Sequence, residues 1–191
     1  MADRRQELLD AAVRVFARKG FHASRVGDIA EEAGVAHGLL YHYFRSKDEV
    51  LETIFRDTWQ LFVAETERIE EAVEPLPEQL RRFARIYLGS WLATPELIGV
   101  LVREIARSPQ VGETVGEIGG VLRALARMIE AARGRGEVRA DCDATLAAWA
   151  VYGALEEILT GWALGQLPGA EPDVERAIAT VVAVAAAGLA A

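Results

Sequence analysis

Apolar residues recur every three or four positions along almost the whole chain, which is the spacing of one face of an α-helix. No alternating run of β-branched residues is bounded by hairpin turns, so no strand is predicted. The sequence therefore predicts an all-α protein. Helices are expected at about 3–19, 25–33, a short stretch reaching 43, 47 to the prolines at 75 and 77, 77–93, 95–107, 110–133, 143–165 and 172–189.

Several helix ends carry capping signals. Gly20 follows the first helix as a C-terminal stop, and Ser24 is available as the N-cap of the second. The sequence Ser46-Lys47-Asp48-Glu49 is a capping box that predicts the start of a long helix. Within the 110–133 segment, apolar residues form a seam for antiparallel helix packing, which we interpret as core: Val111, Val115, Ile118, Leu122, Leu125 and Ile129.

No internal repeat or low-complexity linker interrupts the chain, so a small head at 1–46 is expected to join a larger helical body at 47–191 directly through the long fourth helix. The formal net charge is −8, but it is uneven. Residues 1–55 hold eight Lys and Arg against nine Asp and Glu, and they hold all three histidines. A nearly neutral head can present a locally basic face to a polyanion.

Composition also limits the cellular setting. The charged N-terminus MADRRQELLD lacks the apolar stretch of a secretory signal, and the uncharged run 177–191 is too short to span a bilayer. We therefore expect a cytoplasmic protein without a membrane partner. The single cysteine, Cys142, lies between two aspartates and is interpreted as an inert thiol near a turn.

Two histidines fall in the stretch GVAHGLLYHYFRSKDEV, residues 34–50, and could indicate a metal or catalytic site. His37 and His42 are five residues apart, about 140° around a helix, so they cannot share one face as metal ligands must. No histidine follows position 42 and no GxSxG motif is present, which disfavours a hydrolase relay. No cofactor, no metal and no enzymatic activity are predicted.

A helix-turn-helix explains the same stretch better. Two short helices joined at Gly34 can place the second in the major groove of DNA. Gly38 would permit close backbone approach, Leu39 could contact a thymine methyl, and the two histidines could reach base edges. Tyr43 and Lys47 would hold phosphates.

The run LLDAAVRVFARKGFHASRVGDIAEEAGVAHGLLYHYFRSKDEVLETIF closely resembles the DNA-binding head of the TetR family of transcriptional regulators. The resemblance implies a three-helix head, a variable helical body, and a homodimer that leaves a palindromic operator when a small molecule enters the body. Tyr41 and Phe44 would brace the head, and Ala36 stands where the family has a capping Ser or Thr. By motif position, DNA contact falls to Ser24, Arg25, His37, Gly38, Leu39, His42, Tyr43 and Lys47.

The last two predicted helices are rich in Ala and Gly, with large apolar residues between them, and in the TetR family such a pair forms a four-helix bundle with its symmetry mate. Internal core is the competing interpretation. The large residues of this stripe are Trp149, Tyr152, Leu155, Leu159, Trp162, Val181 and Val184.

Aromatic and ionisable residues on otherwise apolar stretches of the body are candidates for an effector pocket. The segments VREIARSPQV and GEVRADCDATLAAWAVYGALEEILTGWALG also resemble, more loosely, the bodies of FadR-type regulators, which implies a long-chain acyl-CoA effector. Arg103 and Arg107 would then face the phosphates of the CoA group. The predicted ligand-binding residues are Phe83, Tyr87, Trp91, Arg103, Glu104, Arg107, Tyr152 and Glu156.

The sequence thus predicts a ligand-responsive transcriptional regulator, in the role of a repressor, that binds double-stranded operator DNA. The alternative is a helical enzyme or scaffold that carries a helix-turn-helix-like head. Salt-dependent binding to a palindrome would support the regulator, whereas catalytic turnover without DNA affinity would support the alternative.

Overall fold

The computed structural model describes residues 2–105 and 115–191, and this part of the chain is helical without a β-strand. The all-α prediction is therefore confirmed. The helices are α1 (Ala2–Lys19), α2 (Val26–Glu32), α3 (His37–Tyr43), α4 (Lys47–Glu71), α5 (Leu76–Ala93), α6 (Pro95–Ile105), α7 (Val115–Gly134), α8 (Ala144–Ala163) and α9 (Glu171–Leu189).

The first three helices form a small head. α1 packs on α2, and α2 packs on α3. Leu8, Ala12 and Phe16 of α1 are buried in the hydrophobic core. Gly34 makes the turn between α2 and α3 with φ +66°, a left-handed conformation that glycine adopts without steric cost. The predicted helix-turn-helix is thus present, and its turn depends on a glycine.

The long helix α4 leads from the head into the body. Its N-cap is Ser46, whose Oγ accepts a hydrogen bond from the Glu49 amide at 3.1 Å, as the capping box predicted. The Glu49 carboxylate accepts from the amide of Arg45 at 2.6 Å rather than from that of Ser46. The first half of α4 buries residues such as Val50 and Phe55, and α4 packs against both α1 and α7.

The body is a bundle of helices packed around α4, α5, α7 and α8. α4 packs on α7, α5 on α9, and α7 on α8. Because α6 packs against both α1 and α8, it connects the head with the middle of the body. The buried side chain of Gln79 donates to the carbonyls of Ile69 and Ala72, both at 3.0 Å, and so satisfies the C-terminal end of α4.

One expected helix cap differs from the structure, whereas the predicted apolar seam is present. Ser24 does not cap α2: Arg25 is the N-cap, and its amide is held by the Asp28 side chain at 2.8 Å. The predicted seam lies on α7, where Leu122, Leu125 and Ile129 are buried and Ile118 is half-buried. Val111 and the side chain of Val115 lie outside the described residues.

Candidate DNA-binding surface and internal cavity

The second helix of the helix-turn-helix, α3, presents polar side chains to solvent. His37, Gly38 and His42 are exposed, whereas Leu39 and Tyr43 are half-buried. Leu40 is fully buried and anchors α3 to the head core. The opposite, outward face of α3 is therefore the one available to a DNA groove.

Helices α2 and α3 approach each other closely at Gly27. A Cβ built at this position would lie 3.2 Å from Cε1 of His37, tighter than ordinary van der Waals contact. A larger residue at position 27 would push on the His37 ring and change its presentation. Ala36 is the N-cap of α3 and makes no side-chain capping hydrogen bond, as its residue type predicted.

The environment of Lys47 differs from the phosphate contact that the sequence predicted. Its ammonium group donates to the carbonyls of Phe21, His22 and Ser24 at 2.9, 3.2 and 3.0 Å, and lies 4.6 Å from the centre of the Phe21 ring. An ammonium group has three N–H donors, and all three are used here. In this conformation Lys47 holds the loop between α1 and α2 rather than offering a free cation to a phosphate.

Ser24 is buried, although the sequence predicted that it contacts DNA. It is 3% exposed, and its hydroxyl donates to the Gly20 carbonyl at 2.6 Å, so its side chain does not reach the surface. Arg25 is exposed at the start of α2. Tyr41 is 53% exposed with its ring 5.5 Å from that of His37, whereas Phe44 is buried in the core as predicted.

Two of the three acidic side chains of α2 are paired with cations from α1. Glu32 accepts from Arg14 and Arg18 at 2.8 and 2.7 Å, and these hydrogen bonds lower the pKa of the carboxyl. Lys19 donates to Asp28 at 2.8 Å and lowers the pKa of Asp28 in the same way. These carboxylates therefore oppose a nearby phosphate backbone less than the formal charge of the head indicates.

The body contains a small cavity between α4, α5, α6 and α8. Its volume is about 20 Å³, room for roughly one water molecule. The lining is apolar except for one carboxylate, a phenol and an indole. The residues are Trp59, Phe62, Tyr87, Ile98, Leu101, Val102, Glu156 and Leu159.

A hydrogen-bonded group of two tyrosines and a glutamate lies beside this cavity. The Tyr87 hydroxyl donates to Oε2 of Glu156, and the Tyr152 hydroxyl lies 3.5 Å from the same oxygen. The two hydroxyl oxygens are 3.1 Å apart. Burial, followed by the nearby carboxylate, raises the pKa of both tyrosines, so both stay protonated and act as donors.

Trp59 lines the cavity but was not among the residues predicted from the sequence. It matters because it brings a hydrogen-bond donor to the lining. It is 3% exposed, and its indole Nε1 has no hydrogen-bond partner within the described part of the chain. Its ring lies 6.3 Å from that of Tyr87 and 6.4 Å from that of Tyr152. The signal in the sequence was an aromatic pair, Trp59 and Phe62, three residues apart on α4.

Only some of the predicted ligand-binding residues lie at the cavity. Tyr87 and Glu156 line the cavity, and Tyr152 contacts them. Phe83 is buried behind Tyr87, with ring centres 5.8 Å apart. These four residues thus lie together around the cavity.

Three other candidates do not line this cavity. Trp91 donates from its indole to the Gly169 carbonyl at 3.0 Å, and Arg103 donates to the Ala163 carbonyl at 3.2 Å, at the C-terminal end of α8. The Glu104 carboxylate is buried and lies 3.8 Å from Nε2 of His22 in the head. Arg107 lies outside the described residues.

An open apolar groove runs between the outer faces of α8 and α9. Its volume is about 640 Å³, and its lining includes Leu146, Ala150, Ala154 and Val184. Leu146 is 67% exposed and Val184 is 69% exposed, and Trp149 on the same helix as Leu146 is 58% exposed. Of the predicted stripe, Tyr152, Leu155, Leu159 and Trp162 are instead buried in the interior.

Among residues 2–105 and 115–191, no group of three or more His, Cys, Asp or Glu is arranged to hold a metal ion. No described helix is long and apolar enough to cross a bilayer.

Comparison with known proteins agrees with this architecture. Residues 8–54 match the family model of bacterial regulatory proteins, tetR family. The chain is 29% identical over 163 residues to the fatty acid metabolism regulator protein of Bacillus subtilis, covering 83% of this chain and 82% of that protein. It is 43% identical over 77 residues to the transcriptional repressor KstR2 of Mycolicibacterium smegmatis, covering 39% and 37%.

Solved structures share the fold over the full length. The fatty acid degradation regulator FadR from Bacillus halodurans superposes with a TM-score of 0.84 at 25% identity, covering 97% of this chain and 96% of that one. FadR from Bacillus subtilis, solved in complex with stearoyl-CoA, has a TM-score of 0.84 at 24% identity, covering 96% and 98%. The exposed face of α3, the family match in the head and these full-length likenesses together show that residues 8–54 form a DNA-binding head of the tetR type and that the chain is a DNA-binding transcription regulator.

Proposed function

We propose that this protein is a dimeric repressor that binds a palindromic operator and is released from it by a long-chain acyl-CoA. In this proposal the DNA-binding head is 1–46 and the effector-binding and dimerisation body is 47–191. Base contacts come from His37, Leu39 and His42, with close backbone approach at Gly38. Arg25 and Tyr43 contact phosphates.

The observation that carries the proposal is the position of α6, which contacts both the cavity and the head. Ile98, Leu101 and Val102 of α6 line the cavity, and the buried Glu104 at its end lies beside His22 of the head. A ligand that enters a cavity with room for about one water must displace these side chains. Movement of α6 then changes the contact between body and head.

The effector class is supported by the apolar lining and by the relatives. The Bacillus subtilis relative is named a fatty acid metabolism regulator, and a structure of FadR from that organism holds stearoyl-CoA. An acyl chain is held by burying methylene groups, each contributing about 0.8 kcal/mol when fully desolvated. Arg103 follows the cavity-lining Val102, is exposed, and keeps N–H donors for a CoA phosphate outside the cavity.

Dimerisation is supported by the groove between α8 and α9. Large exposed apolar patches on soluble proteins mark interaction surfaces, and a twofold pair would place the same patch of two subunits in contact. Small residues such as Ala150 and Ala154 allow two helices to approach closely, with Leu146 and Val184 filling the gaps. Pairing would present two α3 helices to successive major grooves.

The proposal is tested by titrating saturated acyl-CoA esters of increasing length into the protein–operator complex. We expect long-chain esters to release the operator and short-chain esters to fail, because each added methylene increases the buried apolar area. The free fatty acid of the same length serves as the control for the phosphate contacts. If no ester binds the protein or lowers operator affinity, the acyl-CoA repressor is wrong, and the DNA-binding assignment is unaffected.

The coupling through α6 has its own test. Glu104→Gln leaves the cavity lining intact, because Glu104 does not line the cavity, but should lower the ester concentration needed to release the operator, since it weakens a contact of the ligand-free conformation. A ligand shifts the equilibrium only through its different affinity for two conformations, and the Glu104–His22 contact is present in only one of them in this proposal. An unchanged release curve would show that α6 does not act through this contact.

A further inference from the structure

The cavity contains two polar groups that a plain hydrocarbon chain cannot satisfy. The Trp59 indole N–H is buried and has no hydrogen-bond partner among residues 2–105 and 115–191, and Glu156 contributes a carboxylate to the same lining. A buried donor without an acceptor is destabilising, and the half-buried Glu156 carboxylate needs donors if a ligand takes it further from water. A saturated acyl chain that filled this space would leave the indole unsatisfied and would remove the carboxylate further from water.

The arrangement suits a small group that both accepts and donates a hydrogen bond. Because the cavity has a volume of about 20 Å³, its lining groups surround a space that one oxygen atom can fill. The described hydrogen bonds of Glu156 all reach Oε2, from the hydroxyls of Tyr87 and Tyr152. Within residues 2–105 and 115–191, Oε1 therefore accepts no hydrogen bond and is available to a donor.

Other polar groups fit less well. A ketone accepts from Trp59 but offers no proton to Glu156, and an ammonium group donates to Glu156 but cannot accept from Trp59. A hydroxyl does both with one oxygen atom. We propose that the effector carries a hydroxyl group at its buried end, which accepts a hydrogen bond from Trp59 Nε1 and donates one to the Glu156 carboxylate.

This inference rests on the proposed function and specifies its ligand: a hydroxylated acyl thioester is the effector, in preference to the unsubstituted ester. The hydroxyl contributes orientation because its two hydrogen bonds can form at only one depth of chain insertion. The affinity for the ligand therefore depends jointly on the length of its chain and on the position of its hydroxyl group. Tyr87 and Tyr152 are positioning residues, since their hydroxyls bond to Oε2 of Glu156 and leave Oε1 for the ligand.

The test uses matched pairs of acyl-CoA esters, plain and ω-hydroxylated, with chains of about 8 to 18 carbons, so that the hydroxyl samples successive depths. Affinity is measured by calorimetry, and operator release is measured in parallel. At one chain length we expect the ω-hydroxy ester to bind about tenfold more tightly than the plain ester. Weaker binding of the hydroxylated ester at every length would overturn the inference.

Variants identify the residues responsible. Trp59→Phe keeps an aromatic ring and removes the N–H, so the preference for the hydroxylated ester should fall to about parity while the plain ester still binds. Trp91→Phe is the matched control, because its indole donates to Gly169 outside the cavity, and it should keep the full preference. Glu156→Gln should reduce the preference, since a neutral amide accepts a weaker hydrogen bond than a carboxylate.

The two proposals fail in different ways. Release of the operator by plain and hydroxylated esters at equal concentrations would leave the acyl-CoA repressor standing and would reject the hydroxyl. Full preference in Trp59→Phe would also reject it, because the donor that defines the subsite would be unnecessary. If neither kind of ester binds, the proposed effector class itself is wrong.

Discussion

Val184→Glu is expected to yield a folded monomer whose operator affinity is lower by about 100-fold or more. Val184 is 69% exposed and lines the groove between α8 and α9, so a carboxylate there disturbs little in the isolated chain. In the proposed dimer the same carboxylate would be buried in an apolar interface without a partner, which is strongly unfavourable. Once pairing is lost, the two α3 helices bind independently and their combined affinity disappears.

Light scattering and operator titration at fixed salt measure the two effects. Val73→Glu is the matched control: Val73 is 97% exposed, lies between α4 and α5, and is outside the groove, so this variant should keep both assembly and affinity. A Val184→Glu protein that remains a dimer would place the interface on another surface.

The second large effect is expected for Lys47→Met, which should lower the free energy of unfolding by about 2–3 kcal/mol. The substitution removes the hydrogen bonds from the ammonium group to the carbonyls of Phe21, His22 and Ser24 and leaves these acceptors without their cation. It also removes the cation that lies 4.6 Å from the Phe21 ring. The loop that sets the angle between α1 and α2 should then loosen.

Chemical denaturation and the salt dependence of operator binding distinguish the two roles of Lys47. A loop-holding lysine predicts lower stability with an unchanged salt slope, whereas a phosphate contact predicts unchanged stability and a slope reduced by about one. Lys19→Met is the control for removing a lysine from the head, because Lys19 is exposed and contacts only the Asp28 carboxylate in the described structure. Its effect on stability should be small. The second pattern for Lys47→Met would restore the assignment made from the sequence.

Local chemistry made the head predictable. The turn at position 34 requires a left-handed backbone conformation, which glycine adopts freely. The cap at Ser46 requires only a hydrogen bond from the amide of Glu49, three residues later. Such signals act within a few residues, and the helical spacing of apolar positions acts within one element, so the helix order and the helix-turn-helix followed from the sequence. The exposed positions of His37 and His42 follow from the same periodicity, because α3 must bury Leu40.

The partners of long polar side chains were not predictable in this way. Arg103, Glu104 and Trp91 lie on helices beside cavity-lining residues, yet their side chains reach Ala163, His22 and Gly169, which are distant in sequence. The sequence indicated polar side chains within an apolar body. Both a ligand site and an internal hydrogen bond produce this pattern, so the pattern does not distinguish them. Only packing shows which of these a given residue makes.

By itself, the sequence determined that this chain is all-helical, that its first helices form a helix-turn-helix, and that this head is of the tetR type, because these properties depend on local spacing and short motifs. The tertiary structure decided that Ser24 is buried, that Lys47 holds a loop, and that Trp59 brings an unsatisfied donor to the cavity beside Glu156. Those facts depend on which helices meet and at what angle. A side chain several bonds long can satisfy its hydrogen bonds with whatever group the fold brings within reach, and the order of residues along the chain does not specify that group.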